Sequence, residues 1–247
     1  MVVHEQESSW AGKRLDDPDF TGARLHGPSF EGARITDGWF KGADISGDLQ
    51  DLRLNGVEVG PLVDAELDRL FPDRVRLRAT DRDGLLEAWT MLEQMWDTTV
   101  VRARGLPPAL LDTRVDGEWS FVETLRHLVM ATDIWLRRMV EGRERPYHPW
   151  GLAGSWVTHP ASLGLDPSAE PSLDEVLDVR RERMAEVRVC LNRVTDQELS
   201  RVCVPPDAPG GPVVPHQVVK CLHVIFAEEW EHHRYAVRDL AILESRS

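Results

Sequence analysis

The stretch from Val218 to Glu244, VVKCLHVIFAEEWEHHRYAVRDLAILE, constrains this chain more than any other. Leu222, Ile225, Phe226, Trp230, Ala236, Val237 and Leu240 recur at helical spacing, which predicts one amphipathic helix. One turn breaks the pattern: Glu228, Glu229, Glu231, His232 and His233 crowd together, some of them on or near the apolar stripe. Glu228 and His232 are four residues apart, as are Glu229 and His233, and residues so spaced stack on one helix face. A carboxylate and an imidazole placed this way can share a divalent metal. A third ligand has to come from another helix. His127, beside Leu125 and Leu128 in the apolar segment SFVETLRHLVMATDIWLRRMV, is the candidate. The competing reading is structural. A histidine on an apolar face is commonly a satisfied core residue, and a Glu–His pair four apart is commonly a surface ion pair worth about 0.2–0.5 kcal/mol.

Composition narrows the function classes. A net charge of −13 argues against nucleic-acid and anionic-membrane partners, which need a basic footprint. No apolar run reaches the roughly 18 residues of a spanning helix. The N-terminus MVVHEQESSW has neither a basic region nor an apolar one, so no secretory signal is expected. Cys190, Cys203 and Cys221 are odd in number and lack a disulfide-framework spacing. The expected compartment is therefore cytoplasmic and reducing. None of the three has an activating neighbour, so no cysteine nucleophile is expected. Nine tryptophans against two tyrosines imply that tryptophan fills much of the core.

Three parts are expected: residues 1–59, a junction at 60–79, and residues 80–247. In the first, a period of five begins after a polar lead-in. Phe20, Leu25, Phe30, Ile35, Phe40 and Ile45 form a large apolar column. Pro18, Ala23, Pro28, Ala33, Gly38 and Ala43, two positions earlier, form a column of small or compact residues. This resembles the pentapeptide repeat, which implies a short four-sided β-helix segment. At about twenty residues per coil the segment is only one to two coils long. Repeat units need neighbours to bury their faces, so it is expected to dock on the rest of the chain, with Phe30 and Phe40 buried. In the junction, Gly60-Pro61 opens a short helix that Pro72 ends.

Residues 80–247 read as mainly α, with four long helices. The first spans about 80–104, with Thr80 and Asp83 as a cap. The second runs from a Ser120–Glu123 capping box to about Val140, closed by Gly142. The third runs from a Ser172–Glu175 box to about Val194, and the last is the helix described above. Such a series implies a four-helix bundle. Between the second and third helices lies a Pro/Gly-rich stretch, 143–171, too long for an idle connector. Its His148, Trp150, Trp156 and His159 are candidates for a pocket wall, with a packed surface loop as the alternative.

The segments WSFVETLRHLVMATDIWLRRMV and EEWEHHRYAVRDL, in this order, resemble those of the DinB/YfiT-like superfamily over about residues 78–245. The resemblance implies a four-helix bundle holding a divalent metal by three residues at one end of its core. In that family the last helix usually carries two histidines four apart; here a glutamate takes the first place. Two registers remain. A helical wheel puts Glu229 and His233 nearer the centre of the stripe, whereas the resemblance favours His127, Glu228 and His232. Zinc, nickel or iron fits a two-His, one-carboxylate set. Characterised relatives include S-transferases and isomerases that use mycothiol or bacillithiol, which implies a low-molecular-weight thiol cosubstrate and a small electrophilic substrate. Arg126 and Arg234 could meet the anionic parts of such a substrate or be ordinary solvated charges. The second reading is a non-catalytic, stress-related binding module. Its acidic surface and repeat segment would suit a protein partner or a homodimer contact.

Overall fold

The computed structural model describes residues 10–25, 27–154, 157, 159–207 and 210–246. It divides into two compact units that meet in sequence at Ile45 and Ser46.

The first unit is a run of turns without a strand among its described residues, so the expected β-helix is not observed. The five-residue period survives as turn geometry. Lys13, Ala23, Ala33 and Ala43 donate their N–H groups to the carbonyls of Trp10, Phe20, Phe30 and Phe40 at 2.9–3.1 Å. Gly12, Gly22, Gly32 and Gly42 sit at φ 69–78° in the third position of these turns. That is the type II arrangement, where a Cβ is strained. The columns also touch: a side chain at Gly38 would meet the Phe40 and Ile35 side chains. Contrary to expectation, Phe30 and Phe40 are 56% and 51% exposed. So short a run has no further coil to stack on the column.

The second unit is mainly helical. It opens with a hairpin of β1 (Arg53–Leu54) and β2 (Val57–Glu58), within the stretch expected to belong to the repeat. Asn55 and Gly56 both have positive φ, 51° and 82°, as the tight turn between twisted strands requires. Helix α1 (Gly60–Leu70) and a 3-10 turn (Pro72–Arg78) follow. Four long helices make the body: α2 (Arg82–Ala103); α4 (Phe121–Thr132), continued by a π-helical segment Asp133–Val140; α5 (Leu173–Arg193); and α7 (Val218–Glu244). The short helices α3 (Pro108–Leu111) and α6 (Asp196–Leu199) punctuate the connections. Strands β3 (Val202–Cys203) and β4 (His216–Gln217) clamp the loop before α7. Among the described residues, no helix is long and apolar enough to cross a membrane.

Local chemistry explains the starts. Ser120 and Glu123 form a reciprocal capping box, as do Ser172 and Glu175. At α2 the cap is Asp81, which accepts from the Gly84 N–H at 2.9 Å, one residue later than the Thr80 expected. Gly142, at φ 72°, ends the second long helix as expected. The π segment has no counterpart in the apolar period.

α2 packs on α5 and α7, and α4 packs on the same two, so α5 and α7 stand diagonally opposite. The core contains Trp89 stacked on Phe226 at 5.5 Å and Trp96 against Phe121. Trp89, Trp96 and Trp230 are buried, but Trp10 and Trp39 are not. Across the diagonal, Arg180 of α5 meets Glu229 of α7 with two hydrogen bonds, 3.0 and 2.5 Å, and both are almost wholly buried. The guanidinium also lies 4.7 Å from the Trp96 ring. Removing one partner strands the other charge in the core. Glu229→Ala is therefore expected to cost about 3–5 kcal/mol in denaturant unfolding. Glu229→Leu combined with Arg180→Met should cost less than either single change. A single-variant loss below about 1 kcal/mol would contradict this.

Candidate metal centre

His127 lies on α4, just under two turns past its Ser120 cap. Its Nδ1 is 3.0 Å from the Leu152 carbonyl, an atom that only accepts, so Nδ1 carries a proton and donates it. Nε2 is thereby turned toward α7, where Glu228 Oε2 stands 3.3 Å away. His232, one turn beyond Glu228, brings its Nε2 to 3.1 Å from the same oxygen. Ligand atoms of the three residues lie within 4.8 Å of one another, and each residue is half-buried. Burial pushes the Glu228 carboxyl up, but hydrogen bonds from His127 and His232, with their charges, outweigh it and hold it down at about 2. This is an anionic oxygen between two imidazoles, with Glu228 and His232 carried by α7 and His127 by its neighbour α4.

Trp119, the residue before the Ser120 cap, covers this group. Its ring centroid is 4.4 Å from that of His127 and 5.7 Å from that of His232, nearly parallel to the latter. Tyr235 lies beyond His232 at 6.4 Å.

The other Glu–His register is used structurally. Glu229 is the partner of Arg180, and His233 bonds to Thr99 Oγ1 at 2.8 Å and packs edge-on against Trp96 at 5.1 Å. The wheel placed these two residues at the centre of the stripe correctly. Being central, they face α2 and α5 instead of His127, so Glu229 and His233 are not ligand candidates.

The 143–171 stretch is a packed strap over α4. Arg126, expected to meet substrate or solvent, is buried; it donates to the carbonyls of Trp150 at 2.9 Å, Ala169 at 2.8 Å and Asp166 at 3.4 Å. The Leu152 N–H returns a bond to the Arg126 carbonyl at 3.2 Å. The His148 N–H bonds to Asp133, a buried carboxylate of the π segment that also accepts from Arg183 at 2.6 Å. Burial pushes the Asp133 carboxyl up against the opposing pull of Arg183. Trp150 packs edge-on against His148. His159 is exposed and caps the 3-10 turn Pro160–Leu163. The contacts that His148 and Trp150 make are with α4, its π-helical continuation and each other. Trp156 lies outside the described residues. What the strap gives the site is a backbone atom, the Leu152 carbonyl. Arg234 pairs with Glu231 at 2.8 Å and lies 5.0 Å from the Phe71 ring, so it too serves packing.

Residues 91–236 match the family model of the DinB superfamily, more than half of the chain and all three candidate ligands. The chain belongs to the DinB superfamily. A crystal structure of an uncharacterized protein from Clostridium difficile 630 is similar, with 19% identity over 64% of this chain and 94% of that one, and a TM-score of 0.45. Among curated proteins none matches.

Sequence reasoning missed Trp119, Arg180, and the role of Arg126 with Leu152. Trp119 carried one usable signal, its place just ahead of the capping box that starts the His127 helix. Arg126→Leu should remove the side-chain donor from the Trp150 and Ala169 carbonyls, while the Asp166 carbonyl keeps the Ala169 N–H. It is expected to cost about 2–3 kcal/mol and to speed proteolysis within 143–171, read by mass spectrometry of the fragments. An unchanged cleavage rate would show that the strap is held elsewhere.

Proposed function

We propose that this protein holds one divalent cation between His127 Nε2, Glu228 and His232 Nε2, and uses it to activate a low-molecular-weight thiol for transfer to a small electrophile. The convergence of the three ligand atoms carries the reading. Two imidazole nitrogens and a carboxylate oxygen form the donor set of zinc, nickel or iron, and three protein ligands leave coordination positions open. The Leu152 carbonyl gives His127 the outer partner that a metal-binding imidazole ordinarily has. When bound, such an ion supplies Lewis acidity, lowering the pKa of a thiol so that it reacts as thiolate.

The chain's own residues orient and shield. Leu152 fixes the His127 tautomer, the Arg180–Glu229 pair fixes the rotation of α7, and Trp119 limits water at the imidazoles. The chain's own thiols are poor nucleophiles. Burial pushes Cys190 up to about 11 and Cys221 up to about 12, and raises Cys203 as well. On this reading the sulfur arrives with a cosubstrate.

One observation favours the second reading, a binding module without catalysis: Trp119 lies across both imidazoles. Calorimetric titration with zinc and nickel separates the claims. One ion per chain is expected. His127→Ala, Glu228→Gln and His232→Ala should each weaken binding more than about 100-fold. His233→Ala should keep the ion and lose about 1 kcal/mol of stability. Loaded protein should then consume mycothiol or bacillithiol in the presence of small electrophiles. Metal without turnover would support the binding module, and no metal uptake would overturn the site.

A further inference from the structure

Two of the three cysteines meet in the core. Cys203 lies on β3 and Cys221 in the first turn of α7. Both pack with Leu199, Val218 and Leu222, and they are 2% and 0% exposed. Their thiols hydrogen-bond to each other. The local chain explains the meeting. On either side of Cys203, Val202 and Val204 are exposed, so the pleat turns the Cys203 side chain inward. Cys203 pairs with His216 across the hairpin, and the Val218 N–H donates to the Arg201 carbonyl at 3.0 Å. The start of α7 is thereby laid against β3.

The two sulfurs are not equivalent. Cys203 Sγ accepts from Arg201 Nη1 at 3.6 Å and from the Cys221 thiol. Arg201 is itself held by Glu198 and by the Val140 carbonyl, to which it donates at 3.1 Å. Two donors, one of them cationic, favour negative charge on Cys203 over Cys221. Burial opposes that charge and keeps both thiols protonated while the core is closed. The strand that carries Cys203 is only two residues long and is paired with another of two, so it opens locally far more easily than the helices. Opening admits water and removes the burial that holds the Cys203 thiol up.

We propose that Cys203 and Cys221 are a reversible oxidation site, which a low-molecular-weight disulfide converts to an intrachain disulfide. Cys203 releases its proton to solvent, and its thiolate attacks one sulfur of the small disulfide. That S–S bond breaks, and one small thiolate leaves and takes up a proton. Cys221 then loses its proton, attacks the Cys203 sulfur and expels the second small thiolate, which is protonated in turn. Two electrons pass from the cysteines to the small disulfide, which ends as two thiols. An excess of small thiol reverses both steps. The new bond ties β3 to the helix that carries Glu228 and His232. It does not depend on metal at those residues.

The test incubates folded, full-length protein with oxidised glutathione and digests it with trypsin without reduction. Trypsin separates the three cysteines, because Cys190, Cys203 and Cys221 fall in the peptides 189–193, 202–220 and 221–234. An intact mass lower by two hydrogens is expected, with 202–220 joined to 221–234. The helical circular dichroism should be unchanged, and dithiothreitol should restore the original mass. Cys221→Ser should stop with one glutathione on Cys203, and Cys190→Ser should change nothing. Absence of the link at every ratio of oxidised to reduced glutathione would overturn the proposal. So would a link that contains Cys190, or one that forms only after urea has unfolded the chain. If Cys221→Ser does not fold, the peptide map of the unaltered chain still decides.

Discussion

The candidate metal centre depends on the rotation of α7, and the buried contact between Arg180 and Glu229 sets it. A bidentate charge pair in the core admits little angular freedom, because any turn of the helix would leave a guanidinium or a carboxylate without its partner. With Glu229 directed at α5, Glu228 is rotated by about 100°. It therefore meets His127 at the edge of the core, where it stays half-exposed. His232 follows one turn later on the same face, while His233 turns inward to Thr99. Two adjacent Glu–His pairs thus do different work. The more deeply buried pair orients the helix, and the shallower pair can meet a ligand from solvent.

The strap acts on the same centre from the other side. Arg126 and His127 are neighbours on α4, and each is tied to the 143–171 stretch, one by its guanidinium and the other by Nδ1. A long loop with little regular structure is held by charge-assisted bonds to its carbonyls and by Met130 and Ile134 packing against Tyr147, Leu163 and Leu165. The π segment that follows brings Asp133 inward to hold His148 and Arg183. Widened helical turns of this kind are frequent near functional sites.

Much of this was legible in the sequence because it rests on local rules. The Ser120 and Ser172 capping boxes and the apolar stripe of the last helix predict elements that form as read. His127, Glu228 and His232 were named from spacing and family resemblance, and the chain brings them together. The choice between registers was not legible from the wheel. The wheel reports which residues point inward but not what stands opposite them, and Arg180 stands opposite Glu229. Arg126 read as a free cation because its partners are backbone carbonyls, which leave no trace in side-chain spacing, whereas the Glu231 partner of Arg234 stands three residues away on the same helix and was readable. In the strap, His148 and Trp150 pack on each other and bond through their backbones to Asp133 and Arg126, as histidine and tryptophan in a long loop can. The Asn55-Gly56 hairpin was readable and was overlooked beside the stronger five-residue period.

X-ray absorption at the zinc edge of zinc-loaded protein tests the central claim most directly. The account predicts two imidazole nitrogens and carboxylate oxygen at about 2.0–2.2 Å, with one imidazole lost in His127→Ala or His232→Ala and neither lost in His233→Ala. A shell containing sulfur at about 2.3 Å, or a shell that changes only in His233→Ala, would contradict it.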